Sequence, residues 1–172
     1  LLGERVRYDG AHKRDALLAD VLGRFVEWVP VCPEVELGLG IPRDPIRLAG
    51  HADAPRLVVE TTGEDITTRM QRYAASRARA LAALGLDGYV LKSRSPSCGV
   101  LGVPVHDARG VPTDTGRGIF AAALIRRLPM LPVEEEGRLA DPHVRAHFLE
   151  RVFTAWRWRT SLASDPVRRD RA

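Results

Sequence analysis

Cysteine is nearly absent: the 172 residues hold two, Cys32 and Cys98. So low a number excludes a disulfide-stapled secreted scaffold, which would need several pairs. Lysine is as scarce, for of 26 basic side chains only Lys13 and Lys92 are lysines. We attribute that bias to the base composition of the gene rather than to function. No apolar run approaches the roughly 20 residues of a membrane-spanning helix, and a cytoplasmic protein without membrane partners is the expectation. Charge of one sign is also lacking over most of the chain. The net +4 resides in residues 151–172, where six arginines face Asp165 and Asp170, so residues 1–150 are neutral overall. A general nucleic-acid-binding surface is therefore not expected on the main domain.

What the chain does have is 45% hydrophobic residues, enough to bury one full core. The spacing predicts a helix over residues 13–24 with Leu17, Leu18, Val21 and Leu22 on one face, then a strand over 26–31 that stops at Pro33. A Gly/Pro loop, ELGLGIPRDP, follows. Residues 56–60 read as a strand. Asp65 or Thr67 can cap a helix that carries Ile66, Met70, Tyr73, Leu81 and Leu84 and ends at Gly85. Further on, residues 88–92 read as a strand, 118–128 as a helix and 129–133 as a short strand. Asp141 and Pro142 open a last helix with Val144, Phe148, Val152 and Ala155 on its apolar face. Strands alternating with helices predict a three-layer α/β fold: a mostly parallel, Rossmann-like or flavodoxin-like sheet with flanking helices.

In such a sheet ligands bind beyond the carboxyl ends of the strands, and that is where this reading puts both cysteines. Cys32 follows the apolar run FVEWVPV. Cys98 follows the strand at Tyr89, Val90 and Leu91, inside the turn-forming stretch SRSPSCG. A free cysteine is commonly just a small buried hydrophobe, but two in matching settings suggest a shared site. Thiolate sites for zinc or iron and sulfur usually take three or four ligands, and no histidine is placed to help. His12 and His51 lie in polar stretches, His106 follows VPV, and His143 and His147 ride the last helix. The opening LLGERVRYDG leads into a loop and then a helix, as the segments after the two cysteines do, so a strand ahead of Leu1 is expected.

The segments LLGERVRYDG (1–10), VCPEVELGLGIPR (31–43) and LKSRSPSCGV (91–100) resemble, in order, the three signature blocks of the 2-thiouracil desulfurase family, formerly known only as a bacterial domain of unknown function. The likeness covers roughly residues 1–135, and three separated blocks are far more specific than one. The resemblance implies a [4Fe-4S] cluster held by Cys32, Cys98 and a third cysteine immediately before Leu1, at the C-terminal strand edge. One iron is left open to bind the sulfur of a small thiolated pyrimidine, such as 2-thiouracil, which is desulfurated hydrolytically. Glu34 is then the candidate to activate water, with Ser97 as its companion in catalysis. Ser95, Asp9 and Lys92 are weaker candidates for substrate binding, since each also has a local role as turn residue or strand-end lysine.

From residue 138 onward the chain resembles the start of a second, mostly helical domain found fused behind the desulfurase-like one. The expected organisation is 1–137 for the α/β domain and 138–172 for this segment, whose arginines and tryptophans leave RNA open as a partner. Two other classes stay open: an enzyme using Cys98 as nucleophile, and a noncatalytic RNA- or partner-binding module.

Overall fold

The computed structural model describes residues 1–163. Its largest sheet grows from a hairpin. Strand β1 (Ile46–His51) turns back at Ala52 and Asp53 into β2 (Ala54–Val59), pairing antiparallel with Leu48 opposite Leu57. Both of those leucines are fully buried. On the other side β1 runs parallel to β4 (Val103–His106), which pairs antiparallel with β5 (Pro112–Gly116), giving the order β2-β1-β4-β5. A separate two-stranded parallel sheet joins β3 (Tyr89–Leu91) to β6 (Val133–Glu135), with Leu91 opposite Glu135.

Two helices hold these sheets together. Helix α2 (Thr67–Ala82) buries Met70, Ala74, Ala78 and Leu81, a spacing that keeps one stripe inward. The Asp65 carboxylate accepts the Thr67 N–H at 2.9 Å, and the Thr67 hydroxyl accepts the Leu57 N–H at 2.7 Å, so the helix start is tied to β2. Gly85 takes a left-handed φ of +63° just past the helix, a conformation that glycine adopts without steric cost. Helix α3 (Ile119–Arg127) packs Phe120, Ala121 and Leu124 against Ala74, Ala78 and Leu81 of α2 and Leu91 of β3. The small alanines let the two helices approach closely. Helix α4 (Pro142–Ala163) closes a third cluster, in which Phe148 and Val152 meet Leu18, Leu22 and Leu139. Asp141 caps it through the His143 N–H at 2.8 Å.

Several expectations need correction. The sheet is not mostly parallel: among the described residues two of the four strand pairings are antiparallel. The reason is that residues 46–51, 103–106 and 112–116, to which the sequence pattern assigns no element, form strands through tight local turns that periodicity does not reveal. Residues 26–31 are not a strand. Pro30 has no N–H to give a ladder, and Phe25, just before the run, is 71% exposed. The first helix is only a π-helical turn (Leu17–Val21) followed by a 3-10 turn (Leu22–Arg24). The strand expected at 129–133 begins at Val133, beyond Pro129 and Pro132. Of the basic tail, Arg168, Arg169 and Arg171 lie outside the described residues.

Candidate functional site

The loop between β3 and β4 carries Cys98, and its shape follows from local hydrogen bonds. The Ser95 hydroxyl oxygen accepts the N–H groups of Ser97 (3.2 Å) and Cys98 (3.1 Å), while the Ser95 carbonyl accepts the Gly99 N–H at 2.8 Å. Helix α3 then uses this loop as its start, because the Ser97 carbonyl accepts the N–H groups of Phe120 (3.0 Å) and Ala121 (3.2 Å). Gly118 allows that contact. A Cβ there would lie 2.5 Å from the Ser97 carbonyl and 2.7 Å from the Cys98 nitrogen. Arg94, at the front of the loop, holds a left-handed φ of +57°, the one non-glycine residue to do so among those described.

Cys32 enters differently from the strand-end setting expected of it. It is the N-cap residue of the short helix α1 (Pro33–Glu36), in extended conformation with Pro33 at the first helical position. Its Sγ lies 3.9 Å from the Val6 carbonyl oxygen. The turn places Glu34 toward the Cys98 loop: Ser97 Oγ donates to Glu34 Oε1 at 3.0 Å. The other carboxylate oxygen accepts from Arg43 Nε (3.0 Å) and Nη2 (2.6 Å). Arg43 Nη2 also donates to the Val6 carbonyl at 3.0 Å, and Nη1 to the Gly40 carbonyl at 3.1 Å. The Arg43 and Glu34 side chains are 5% and 15% exposed, and Ser97 is fully buried. All three signature segments therefore converge on one ion pair: Val6 from the first, Glu34 and Arg43 from the second, Ser97 from the third.

The thiols lie in the same field. Burial pushes the Cys98 thiol well above its usual range, and the nearby Glu34 carboxylate and Cys32 sulfur push it further. That is opposite to the depressed value a nucleophilic cysteine needs. Two free thiols in one field are soft donors of the type that holds iron and sulfur. Among the described residues no group of three or more Cys, His, Asp or Glu is disposed to hold a metal ion. The backbone at Leu1 reaches this neighbourhood. Its carbonyl accepts the Asp15 N–H at 2.8 Å, and its backbone nitrogen lies in electrostatic reach of Glu136, Cys32 and Lys92.

A cleft of about 730 Å³ opens beside Leu1, lined among others by Lys92, Arg94, Glu135 and Glu136. Lys92 Nζ is bonded to Glu136, to the Ser93 carbonyl at 2.9 Å and to the Ser93 hydroxyl at 3.1 Å. Asp9 is exposed. Its carboxylate accepts the Ala11 N–H at 3.0 Å and sits 3.3 Å from Arg7 Nη2. Of the residues singled out from sequence, Cys32, Glu34, Ser97 and Cys98 are thus brought together, Ser95 shapes the loop among them, Lys92 faces the cleft and Asp9 stands apart on the surface. Sequence reasoning missed Arg43, although it lies inside the second signature block, and it missed Glu135 and Glu136, because a run of acids ordinarily reads as a solvated face.

A Bacillus subtilis (strain 168) relative, the uncharacterized protein YbbK, is 28% identical over 127 residues, spanning 71% of this chain and 83% of its own. A solved structure of the [4Fe-4S]-dependent thiouracil desulfidase TudS matches 86% of this chain and 91% of its own, with a TM-score of 0.65 and 33% identity. The family model described as 2-thiouracil desulfurase matches residues 1–136, the span that contains both thiols and the ion pair joining their segments. This chain belongs to the 2-thiouracil desulfurase family.

Proposed function

We propose that the protein is an iron–sulfur desulfidase that removes sulfur hydrolytically from 2-thiouracil or a related thiolated pyrimidine. The observation that carries this reading is the junction of Ser97 and Glu34, which draws the segments of Cys32 and Cys98 together inside a chain of this family. The [4Fe-4S] dependence of TudS supports the same cofactor here. Cys32 and Cys98 would hold it, with a third cysteine just ahead of Leu1, whose nitrogen lies in electrostatic reach of Cys32. Bound there, the cluster would supply a Lewis-acidic open iron with affinity for the exocyclic sulfur.

The chain's own residues do the rest. Arg43 occupies Glu34 Oε2 and fixes the carboxylate plane, leaving Oε1 and the Ser97 hydroxyl as the pair that can accept a proton from water. Ser95 Oγ accepts two amides and its hydroxyl hydrogen-bonds the Cys98 side chain, so it would stand beside a base bound at that sulfur. Lys92 brings positive charge to the cleft, and Asp9 orients Arg7 in the first segment. Residues 1–137 would form this catalytic domain. Residues from 138 onward would act as a docking segment, a role supported by the burial of Phe148 and Val152 and by the ion pair from Arg159 Nη2 to Asp87 at 2.7 Å.

The test is anaerobic reconstitution of the full-length protein with iron and sulfide, followed by absorption spectroscopy and measurement of sulfide released from 2-thiouracil. Brown protein that releases sulfide and uracil together is expected. Colourless protein that turns over, or brown protein that releases no sulfide from any thiolated pyrimidine, would sink the proposal.

A further inference from the structure

The Cys98 loop leaves β3 at Lys92 and returns toward β4 at Leu101, and neither end is held by a strand ladder. Both ends are held instead by consecutive carboxylates at the end of β6. At the outgoing end, Glu136 Oε2 accepts the Ser93 N–H at 2.6 Å and Oε1 accepts the Ser93 hydroxyl at 2.9 Å, with Lys92 bonded to the same carboxylate. At the returning end, Glu135 Oε1 accepts the N–H groups of Val100 (2.6 Å) and Leu101 (3.2 Å).

Glu135 is the more informative of the two. It is 4% exposed, and among the described residues it has no ion-pair partner. Its neighbours differ in this respect: Glu134 pairs with Arg138 and Glu136 with Lys92. A buried carboxylate whose hydrogen-bond donors among the described residues are two amides is costly to keep, and a well-packed apolar residue would ordinarily serve stability as well or better. What an apolar residue cannot do is satisfy the two amides that follow Cys98 and Gly99, which would otherwise be left without acceptors. The register sets the reach, because Glu135 lies opposite Leu91, the last residue of β3 before the loop.

We propose that Glu135 is a positioning residue for Cys98: by accepting the Val100 and Leu101 amides it fixes the returning end of the loop, and with it the thiol. Its role is to hold the loop rather than to carry a proton. Its effect on turnover rests on the desulfidase reading; its hold on the loop does not.

The experiment compares Glu135→Ala and Glu135→Gln with wild type in the full-length protein. Amide exchange at Val100 and Leu101 and the alkylation rate of Cys98 are measured in the metal-free state, and iron content, kcat and KM for 2-thiouracil in the reconstituted state. Glutamine keeps an acceptor oxygen, so it should retain most of the wild-type protection. Alanine should speed exchange and alkylation roughly 10- to 100-fold, the value of hydrogen bonds to a charged acceptor. It should also lower kcat and iron content, with KM little changed. Unchanged exchange and alkylation in both variants would overturn the proposal. So would a glutamine variant with native protection and iron but the turnover loss of alanine, since that outcome makes Glu135 an acid–base group. If the alanine variant does not fold, the glutamine variant decides alone. Near-native protection with turnover intact supports the acceptor role, and lost protection or lost turnover contradicts it. A wild-type protein that releases no sulfide defeats the functional reading, and exchange and alkylation then decide the positioning role by themselves.

Discussion

The hydroxyl of Ser97 and the carboxylate of Glu34 meet at 3.0 Å across 63 positions of sequence. Each sits within two residues of a cysteine, so this single hydrogen bond reports how the two thiol-bearing segments are joined. It also predicts a division of labour. Glu34→Gln should keep iron and colour while lowering sulfide release from 2-thiouracil by about 100-fold, the scale of a positioned acid–base group. Cys32→Ser and Cys98→Ser should lose iron and activity together. Iron content and turnover on the same preparations separate the two outcomes, and full activity in Glu34→Gln removes that residue from the mechanism.

Arg43 binds that same carboxylate from the other side and reaches the first segment through the Val6 carbonyl. Arg43→Met leaves Glu34 partly buried without its cation and frees two backbone carbonyls. Breaking such a pair costs about 3 kcal/mol or more, so urea denaturation should show a lowered midpoint. Arg43→Lys should recover only part of the loss, because an ammonium cannot hold the carboxylate through two nitrogens while also reaching both carbonyls. Equal stability of the methionine variant and wild type would show that the ion pair is not what holds the segments.

Gly118 faces backbone, which cannot move aside as a side chain would. Gly118→Ala is expected to push the Ser97–Cys98 peptide away from α3 at a cost of roughly 1–3 kcal/mol. Because the displaced peptide carries Cys98, iron uptake should fall further than stability alone explains. Thermal melting of the metal-free protein and iron per chain after reconstitution check the two effects separately. Native iron uptake in a destabilised variant would make the contact purely structural.

Burial by itself raises the Glu136 carboxyl, but hydrogen bonds from Lys92 and Ser93 outweigh it and hold the group below the ordinary value of 4.5. With the folded pKa below the unfolded one, the ionised group contributes stability that is fully present above about pH 4.5 and lost as pH falls through the folded value. Denaturation of wild type and Glu136→Gln from about pH 6 to about pH 3 should therefore show a gap that narrows below the ordinary value. A gap independent of pH would contradict the assignment.

Phe148 is buried against Leu18, Leu22 and Leu139, so α4 is packed on the main domain. Phe148→Ala should cost about 3 kcal/mol or more. If α4 stood free of the main domain, the variant would unfold with the wild-type midpoint.

The sequence by itself determined the local pieces. Apolar spacing marked α2 and α3, Gly85 marked a helix end, and Asp141 with Pro142 marked a helix start, because these signals act within a few residues of the backbone they shape. It also determined the family, since three separated blocks carried both thiols, Glu34 and Ser97. Tertiary structure alone decided the rest. The antiparallel pairings of β1 with β2 and β4 with β5 depend on turns and partners that periodicity does not encode, and the apolar run ahead of Cys32 stayed out of the sheet because a strand needs a partner as well as a pattern. Arg43 read as one arginine among many until its guanidinium was seen to join Glu34 and Val6. The acids of β6 carried no signal in the sequence, and folding set Glu135 under the amides of Val100 and Leu101. A hydrogen bond between residues far apart in the chain leaves no periodic trace in the sequence. It exists only once the strands that carry its ends lie side by side.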